Sequence, residues 1–272
     1  MIRAPPRSTL DRSSAASDVY KRQVLFIGVA LLATGSPLSQ MAAASRPSGT
    51  SPILVAAESY SILGYSTVTN TGPTFVYGDL GVSPGSGVTG FPPGTVGPPG
   101  TIHAADAHAA AAQADNILAF GFLDQPCDFT YPDGQDLTAL SPLVPGVYCA
   151  LGSFALTGNL TLTGSSGVWI FKSASTLITS PGSSVTGGDP CNVWWRVGTS
   201  ATLDASTAFR GNILAFTSIT LTSNATLNGR ALAQTGAVTM DTNDVYLSCA
   251  ATPTPTATST PTFTPTATAT AT

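Results

Sequence analysis

Between residues 168 and 242 the chain repeats an apolar block followed by a second short run. The blocks start 25, 20 and then 18 residues apart and read V168-W-I-F-K, V193-W-W-R-V, I213-L-A-F-T and A231-L-A-Q-T. Repetition near this period is typical of a β-solenoid, in which each coil stacks on the previous one and buries a continuous core. A third set of runs, at 185–186 and 225–227, predicts three strands per coil.

The first strand of each coil is apolar on both sides, which is typical of strands covered on both faces. One side is predicted to line the solenoid interior and the other to lie under an alanine-rich helix. Alternation assigns one side as Val168/Ile170, Val193/Trp195, Ile213/Ala215 and Ala231/Ala233, and the other as Trp169/Phe171, Trp194/Arg196, Leu214/Phe216 and Leu232/Gln234.

The second strand has one apolar side and one side that faces solvent. Its predicted inward residues are Leu177/Thr179, Ala201/Leu203, Ile219/Leu221 and Val238/Met240. Its outward residues are Ile178, Thr202, Thr220 and Thr239, flanked by Ser200, Ser218, Asp204, Thr222 and Asp241. Stacked coils would place the outward residues in a column with a spacing of about 4.7–4.9 Å. Any single threonine is explained by its strand propensity, but a repeated column without Lys or Glu favours a functional surface.

The segment 103–122, HAADAHAAAAQADNILAFGF, predicts the helix because alanine is the best helix former. Its large apolar residues lie towards the C-terminal end, so we expect packing there to hold the helix in place. They are Ile117, Leu118, Phe120 and Phe122.

The ends of the chain have the features of an exported protein. Residues 24–44 contain a short apolar run after Lys21 and Arg22 and end in three alanines, which is the layout of a signal peptide. Cleavage is expected after Ala44, with Ala57 as the second choice. We interpret 1–23 as a mis-started or non-native segment, 45–57 as a spacer, 58–249 as the folded domain and 250–272 as a Thr/Pro/Ala-rich stalk. The protein is therefore expected to be extracellular, with attachment to the cell surface through a longer stalk as an option.

Charge is scarce along the chain. Only 9% of residues are charged, the formal net charge is −4, and the sequence has ten Lys and Arg residues. Five of these ten precede residue 24, so the folded domain is poorer still in cations. This composition excludes nucleic acid as a partner, because binding it requires a basic surface.

The four cysteines, Cys127, Cys149, Cys191 and Cys249, are expected to form structural disulfides in an exported chain. Three pairings are possible, and the sequence does not choose between them. Pairing of Cys127 with Cys149 would close a local loop, and pairing of Cys191 with Cys249 would connect the start of the late coils to their end. The spacings do not resemble a zinc site.

Other chemical motifs are weak. Gly81-Val-Ser83-Pro-Gly85 fits a nucleophile pattern, but a proline and a turn follow the serine instead of a helix. His103 and His108 are five apart, so within one helix they would not share a face as an i, i+4 metal pair does. Asp128, Asp133 and Asp136 do not have the spacing of an EF-hand. We therefore expect no catalytic residue, no metal site and no cofactor.

Several segments in order resemble the microbial ice-binding protein family with an irregular β-solenoid. They are STVTNTGPTFVYGDLGVSPG with VTGFPPG, GTIHAADA with the alanine-rich helix, VPGVY, VWIFK, GNILA and GRALAQTGAVT. The resemblance covers about 58–249. It implies a right-handed, three-faced solenoid with one helix alongside, in which the N-terminal segment adds coils next to the C-terminal ones.

The resemblance also implies a flat ice-binding face on one side of the solenoid. Carried over to this sequence, that face would contain Thr69, Thr89, Ile178, Ser200, Thr202, Ser218, Thr220, Thr222 and Thr239. Ile178 departs from the pattern, since it is an apolar residue within the column.

The leading hypothesis is a secreted, monomeric, non-enzymatic protein that adsorbs to ice crystals and inhibits their growth and recrystallisation, with no membrane insertion after signal cleavage. The alternative is a surface adhesin or structural solenoid, carried on the stalk, that binds a glycan or a partner. A third class, a β-helix polysaccharide enzyme, is disfavoured because the coils carry no cluster of acidic or basic residues in register.

Overall fold

Short strands form most of the regular structure. The computed structural model describes residues 49–164 and 166–248, all of which belong to one compact unit that spans 45–272. The predicted signal peptide, non-native segment and stalk lie outside the described residues, as does Cys249. The strands, in chain order, are β1 (Tyr60–Gly64), β2 (Thr67–Asn70), β3 (Phe75–Tyr77), β4 (Asp79–Val82), β5 (Gly87–Thr89), β6 (Thr95–Gly97), β7 (Ile102–Ala104), β8 (Phe129–Tyr131), β9 (Gln135–Asp136), β10 (Gly146–Ala150), β11 (Phe154–Leu156), β12 (Asn159–Leu162), β13 (Trp169–Ser173), β14 (Leu177–Thr179), β15 (Ser184–Gly187), β16 (Val193–Val197), β17 (Ala201–Leu203), β18 (Ala208–Arg210), β19 (Asn212–Ala215), β20 (Ile219–Leu221), β21 (Thr226–Asn228), β22 (Ala231–Ala233), β23 (Val238–Met240) and β24 (Asp244–Tyr246).

The helical elements are few. One α-helix, α1, spans Ala107–Phe122, and short 3-10 helices occupy Ala56–Ser59, Thr138–Leu140 and Pro190–Asn192. None of the helices in the described part of the chain is long and apolar enough to cross a membrane.

The strands form three parallel sheets, which are the three sides of a solenoid. Sheet A has nine strands in the order β7-β4-β1-β22-β19-β16-β13-β10-β8. Sheet B has eight, β5-β2-β23-β20-β17-β14-β11-β9, and sheet C has seven, β12-β15-β18-β21-β24-β3-β6. Each full coil contributes one strand to each sheet, so the predicted three-sided β-solenoid with one helix is confirmed.

The N-terminal coils stack on the C-terminal ones. Strand β1 pairs with β22, β2 with β23 and β3 with β24, all in parallel. The arrangement implied by the family resemblance is therefore present. The last coil of the sequence lies within the stack, and the segment 60–104 extends the solenoid beyond it.

Aromatic rings from neighbouring coils contact one another in the solenoid interior. The ring centroids of Phe129 and Tyr148 lie 4.8 Å apart, those of Tyr148 and Phe171 5.4 Å, and those of Phe171 and Trp195 4.1 Å. Trp195 then contacts Phe209 at 4.8 Å. Because neighbouring coils present rings at the same position, the core is continuous along the solenoid axis.

The register of β13 differs from the sequence prediction by one residue. Trp169 pairs with Val193 and Phe171 with Trp195, so these aromatic residues belong to the interior cluster. Ile170 instead packs on the helix side. The predicted grouping of Val168/Ile170 with Val193/Trp195 was wrong, because a strand that is apolar on both sides carries no signal for its register. The sides assigned to the three later coils agree with the interior and helix-side clusters.

Helix α1 covers the outer side of sheet A, but it does so with small residues. It begins at Ala107, later than predicted, because 102–104 form β7 and the Asp106 side chain accepts a hydrogen bond from the Ala109 N–H at 2.8 Å. Its buried residues are Ala109, Ala112, Gln113, Asn116 and Ala119.

The expected packing of the large apolar helix residues was wrong for three of the four. Leu118 is 72% exposed, Ile117 54% and Phe122 50%, and only Phe120 packs against the core. Alanine lets the helix approach the sheet closely, and Gln113 Nε2 donates to the Gly64 and Ala233 carbonyl oxygens at 3.0 Å. Arg196 holds the C-terminal end of the helix, with its guanidinium carbon 4.2 Å from the centroid of the Phe120 ring.

Packing starts before the predicted domain boundary at residue 58. Ser51, within the predicted spacer, accepts a hydrogen bond from Trp194 Nε1 at 3.0 Å and bonds to Asn192 at 3.1 Å. Leu54 and Ala57 belong to the helix-side cluster. Residues 49–57 are therefore part of the folded domain, since they help to cover the outer side of sheet A.

Candidate functional site

The outer side of sheet B, which we call the threonine face, carries one residue type over five neighbouring strands. Cross-strand register aligns Thr89 with Thr69, Thr69 with Thr239, Thr239 with Thr220, and Thr220 with Thr202. We call this set the threonine column. Four strand spacings of about 4.8 Å give it a length of about 19 Å.

The column continues beyond the threonines with other residues. Thr202 is aligned with Ile178, Ile178 with Ala155, and Ala155 with Asp136. Ile178 is 51% exposed, so its side chain projects into solvent in line with the threonines. Ala155 and Asp136 were missed because the repeat is visible in the sequence only from residue 168, although Phe154 and Leu156 alternate with Ala155 as inward residues do.

The threonine face rests on a closely packed layer of inward side chains. Ala201, Leu203, Ile219, Leu221, Val238 and Met240 are all at most 1% exposed. Four of the five threonines are partly exposed, and Thr89, on the edge strand β5, is exposed. Strand pairing and the packing beneath therefore hold the threonines at fixed positions.

The hydroxyl groups in the middle of the column make few bonds within the protein. Within residues 49–164 and 166–248, the Thr202 and Thr220 side chains have no hydrogen-bond partner, and the one bond between column hydroxyls joins Thr69 to Thr239 at 3.3 Å. A partly exposed hydroxyl without a protein partner bonds to water. The column thus offers a row of water-binding groups at a regular spacing.

The flanking hydroxyls have a different role. Ser200 Oγ accepts from the Ser218 N–H at 3.4 Å, and Ser218 Oγ accepts from the Ala237 N–H at 3.2 Å. Thr222 Oγ1 donates to the Leu203 carbonyl oxygen at 3.1 Å. These three predicted site residues border the column, but their hydroxyls bond to backbone groups of the neighbouring coil, at the turns on either side of sheet B.

Charged groups on the threonine face are confined to its margins. Asp204 and Asp241 lie beside the column, at the turns that follow β17 and β23, and Asp136 lies at its end. Hydrogen bonds from Ser223 and Thr242 hold the pKa of Asp241 below its usual value. Burial would raise the pKa of Asp136, but hydrogen bonds from Thr157 and Thr138 lower it below the usual value overall. Both carboxylates are therefore ionised and bonded to the protein at neutral pH.

A family described as Ice-binding-like matches residues 62–246. The chain belongs to this family. The match spans all three sheets, α1 and every threonine of the column.

Relatives and solved structures of this family agree with the assignment. The ice-binding protein of Nostoc sp. (strain HG1) is 48% identical over 207 residues, which cover 74% of this chain and 76% of that protein. The ice-binding protein of Flammulina populicola is 32% identical over 219 residues, covering 70% and 86%. The crystal structure of an ice-binding protein from an Antarctic ascomycete, Antarctomyces psychrotrophicus, superposes with a TM-score of 0.68 at 34% identity, covering 74% of this chain and 100% of that one. The ice-binding protein from an Antarctic biological consortium gives 0.67 and 34%, covering 80% and 96%.

The cysteines and the nucleophile-like pattern noted in the sequence are parts of the fold. Cys127 and Cys149 form a disulfide with Cα atoms 5.9 Å apart, which is one of the pairings left open by the sequence. Cys191 is also disulfide-bonded. Ser83 is 7% exposed at a turn after β4, so the nucleophile-like pattern contains a buried serine.

The acidic loop residues bond to the backbone, whereas the two histidines lie next to each other. Asp128 and Asp133 accept hydrogen bonds from the N–H groups of Val147 and Ser153, and so stabilise turns. The two histidines, by contrast, lie together, with ring centroids 4.5 Å apart. The sequence interpretation placed both on one helix, whereas His103 belongs to β7 and only His108 to α1.

Proposed function

We propose that this protein adsorbs to ice through the threonine column and thereby inhibits ice growth and recrystallisation. The observation that carries the proposal is the alignment of five threonines on adjacent strands, with the Thr202 and Thr220 hydroxyls free of protein partners within the described residues. Family membership and the names of the relatives support ice binding over the binding of a glycan or a protein partner.

The geometry suits recognition of an ordered water layer. Each threonine supplies a hydroxyl that binds one water and a methyl group that confines its neighbours. A charged side chain in the column would orient water around itself, and the charged groups of this face are kept to its margins. Each contact is weak, but the contacts add because the backbone ladder fixes the array before binding and little conformational entropy is lost.

We infer that the protein needs no chemical step, no cofactor and no second subunit for this activity. Its partner is the crystal surface, and the net charge of −4 disfavours nucleic acid. Export is supported by the signal-like segment 24–44 and by the Cys127–Cys149 disulfide, which persists in oxidising compartments. Attachment through the Thr/Pro-rich segment 250–272 would place the solenoid at the cell surface.

The test is the growth of single ice crystals in a nanolitre osmometer with the full chain and two tyrosine variants. Thr220→Tyr puts a ring in the middle of the column and is expected to remove most of the gap between melting and growth temperatures. Thr226→Tyr makes the same change at an outward position of sheet C and is expected to leave the gap unchanged. The free energy of unfolding of each variant is expected to lie within about 0.5 kcal/mol of that of the unchanged protein.

The outcomes distinguish an error in the proposed function from an error in the assignment of the binding face. Disc-shaped crystals and unhindered recrystallisation with the folded, unchanged protein would rule out ice binding. Activity that survives in Thr220→Tyr, or that is lost in Thr226→Tyr, would show that the binding face has been wrongly assigned.

A further inference from the structure

Both histidines of the chain lie beside one carboxylate at the end of sheet A. Asp79 belongs to β4, His103 to the edge strand β7, and His108 to the first turn of α1. One possible ligand atom from each of these residues lies within 4.8 Å of the other two. The sequence has only two histidines in 272 residues, and both lie beside the same aspartate. Because the three residues come from three different elements, their proximity requires an explanation.

Each imidazole is oriented by a neighbouring group. His103 Nδ1 lies 2.7 Å from Asp106 Oδ2, and His108 Nδ1 lies 2.8 Å from the hydroxyl oxygen of Tyr60. The Tyr60 side chain is fully buried and so gives His108 a rigid support. A carboxylate on the second nitrogen of a ligating histidine is the usual outer-shell partner at metal sites, where it fixes the tautomer and the ring orientation.

On the other side of the His103 ring, Nε2 faces Asp79. The Thr101 hydroxyl lies 2.8 Å from this nitrogen and 3.2 Å from Asp79 Oδ1, and the nitrogen and the carboxylate oxygen are 4.0 Å apart. The hydroxyl thus bridges the two groups. A metal ion bound between them would take over that bridge and bring the ligand atoms closer together. The side chains of His103 and Asp79 are 20% and 11% exposed, so an ion can reach them from solvent.

We propose that Asp79, His103 and His108 form a binding site for a divalent transition metal ion of the Zn²⁺ type. Two imidazoles and one carboxylate are a ligand set that Zn²⁺ takes readily, with water in the fourth position, and they suit Ca²⁺ or Mg²⁺ poorly. The bound ion joins β4, the edge strand β7 and the N-terminus of α1. Its role is structural, since it fastens the N-terminus of the helix to the open end of sheet A.

The direct test uses the full chain without a polyhistidine tag, so that its two histidines give the only imidazole signals. We expect one equivalent of Zn²⁺ to shift the NMR signals of both rings and to raise the midpoint of thermal unfolding, and EDTA to reverse both effects. Ca²⁺ at the same concentration should do neither. If one equivalent of Zn²⁺ shifts neither ring, or only one of them, the proposed site is wrong.

Variants test the separate roles of the ligands and of Asp106. His108→Gln should abolish binding measured by calorimetry. Asp106→Asn keeps the helix cap to Ala109 but offers His103 an amide instead of a carboxylate, so affinity should fall by about 10–100-fold while the helix stays folded. Asp244→Asn, on sheet C, is the control and should bind like the unchanged protein. Unchanged affinity in His108→Gln, or equal losses in Asp244→Asn and Asp106→Asn, would overturn the assignment.

Discussion

Sheets B and C face solvent from the same solenoid with the same strand spacing, but only one of them repeats its side chains. On sheet C the column that runs through Phe75 and Thr226 reads Thr95, Phe75, Asp244, Thr226, Ala208, Ser184 and Asn159. Sheet B has five consecutive threonines at the equivalent place. A solenoid therefore supplies the regular spacing on every side, whereas regular chemistry has to be encoded strand by strand.

Sheet C also carries rings that would interrupt a flat water layer. Tyr77 and Tyr246 stack with centroids 5.1 Å apart, and Phe75 is 48% exposed. Arg210 adds a positive charge on the same side, where its guanidinium bonds to the Gly188 carbonyl oxygen. Mutations can test this difference between the two faces, and their expected effects differ in size.

The largest effect is expected from the core that lies beneath both faces. Trp195 is 1% exposed, stacks on Phe171 and donates from Nε1 to the Arg210 carbonyl oxygen at 2.9 Å. Trp195→Ala should lower the free energy of unfolding by about 3–5 kcal/mol. Ice activity should then fall because the threonine column loses its rigid support. Thermal unfolding measures the first effect and the osmometer the second.

The control for this change is an aromatic residue outside the interior. Phe216 is 48% exposed, so Phe216→Ala should cost about 1 kcal/mol or less. Equal losses of stability in the two variants would show that the stacked rings do not support the coils as described.

A smaller effect on ice activity is expected when the hydroxyl and the methyl group of one threonine are removed one at a time. Thr220→Val keeps the shape of the side chain but removes the water-binding hydroxyl. The loss of this one hydrogen bond should weaken the binding free energy by about 0.5–1.5 kcal/mol. Thr220→Ser keeps the hydroxyl and removes the methyl group. Each variant should retain part of the thermal hysteresis, and both should be more active than Thr220→Tyr.

The matched change on sheet C is Thr226→Val, which should have no effect on ice growth. Full activity in both Thr220 variants would show that binding requires neither the hydroxyl nor the methyl group at this position. Complete loss in only one of them would identify the group that binding requires.

A modest gain is expected from lengthening the column. Ile178 is aligned with Thr202 and is half exposed, so Ile178→Thr would give six consecutive threonines at a stability change within about 0.5 kcal/mol. The thermal hysteresis should rise slightly at equal protein concentration. A fall would show that the apolar side chain of Ile178 itself contributes to binding.

The smallest effect is expected from pH. Threonine hydroxyls do not titrate, and hydrogen bonds hold the pKa values of Asp241 and Asp136 below their usual range. The stability that these carboxylates contribute is complete above the pKa of an unfolded aspartate, about 3.9, and is lost as the pH falls through their lower folded values. Ice activity should therefore be constant from about pH 5 to pH 8, and a change within that window would contradict this account of the face.

The sequence predicts the threonine face better than it predicts the covered face. In β17, β20 and β23 the outward threonine lies between two inward apolar residues, so a one-residue slip would expose the core, and the register is unambiguous from Ala201 to Met240. The first strands lack this signal, which is why the sides of β13 were interchanged. The start of α1 was misplaced because Ala104 and Ala105 suit a helix by composition, but Ala104 ends the edge strand β7 and Ala105 follows it.

The paired histidines could not have been found from their spacing. Their proximity to Asp79 depends on the pairing of β7 with β4 and on the helix starting at Ala107. Both features are long-range or depend on tertiary structure, and such contacts leave no periodic trace in the sequence.

The order in which the coils stack has a consequence for how the protein is made. Thr69 and Thr239 are aligned neighbours in the column, yet 170 residues separate them along the chain. While the chain is being synthesised, the strands that carry Thr69 and Thr89 emerge early but must wait for residues 231–246 before they can pair with the rest of the solenoid. Contacts between distant parts of a chain form slowly, since loop closure precedes any gain from pairing. The surface proposed to meet ice is thus one of the last parts of the molecule to be assembled.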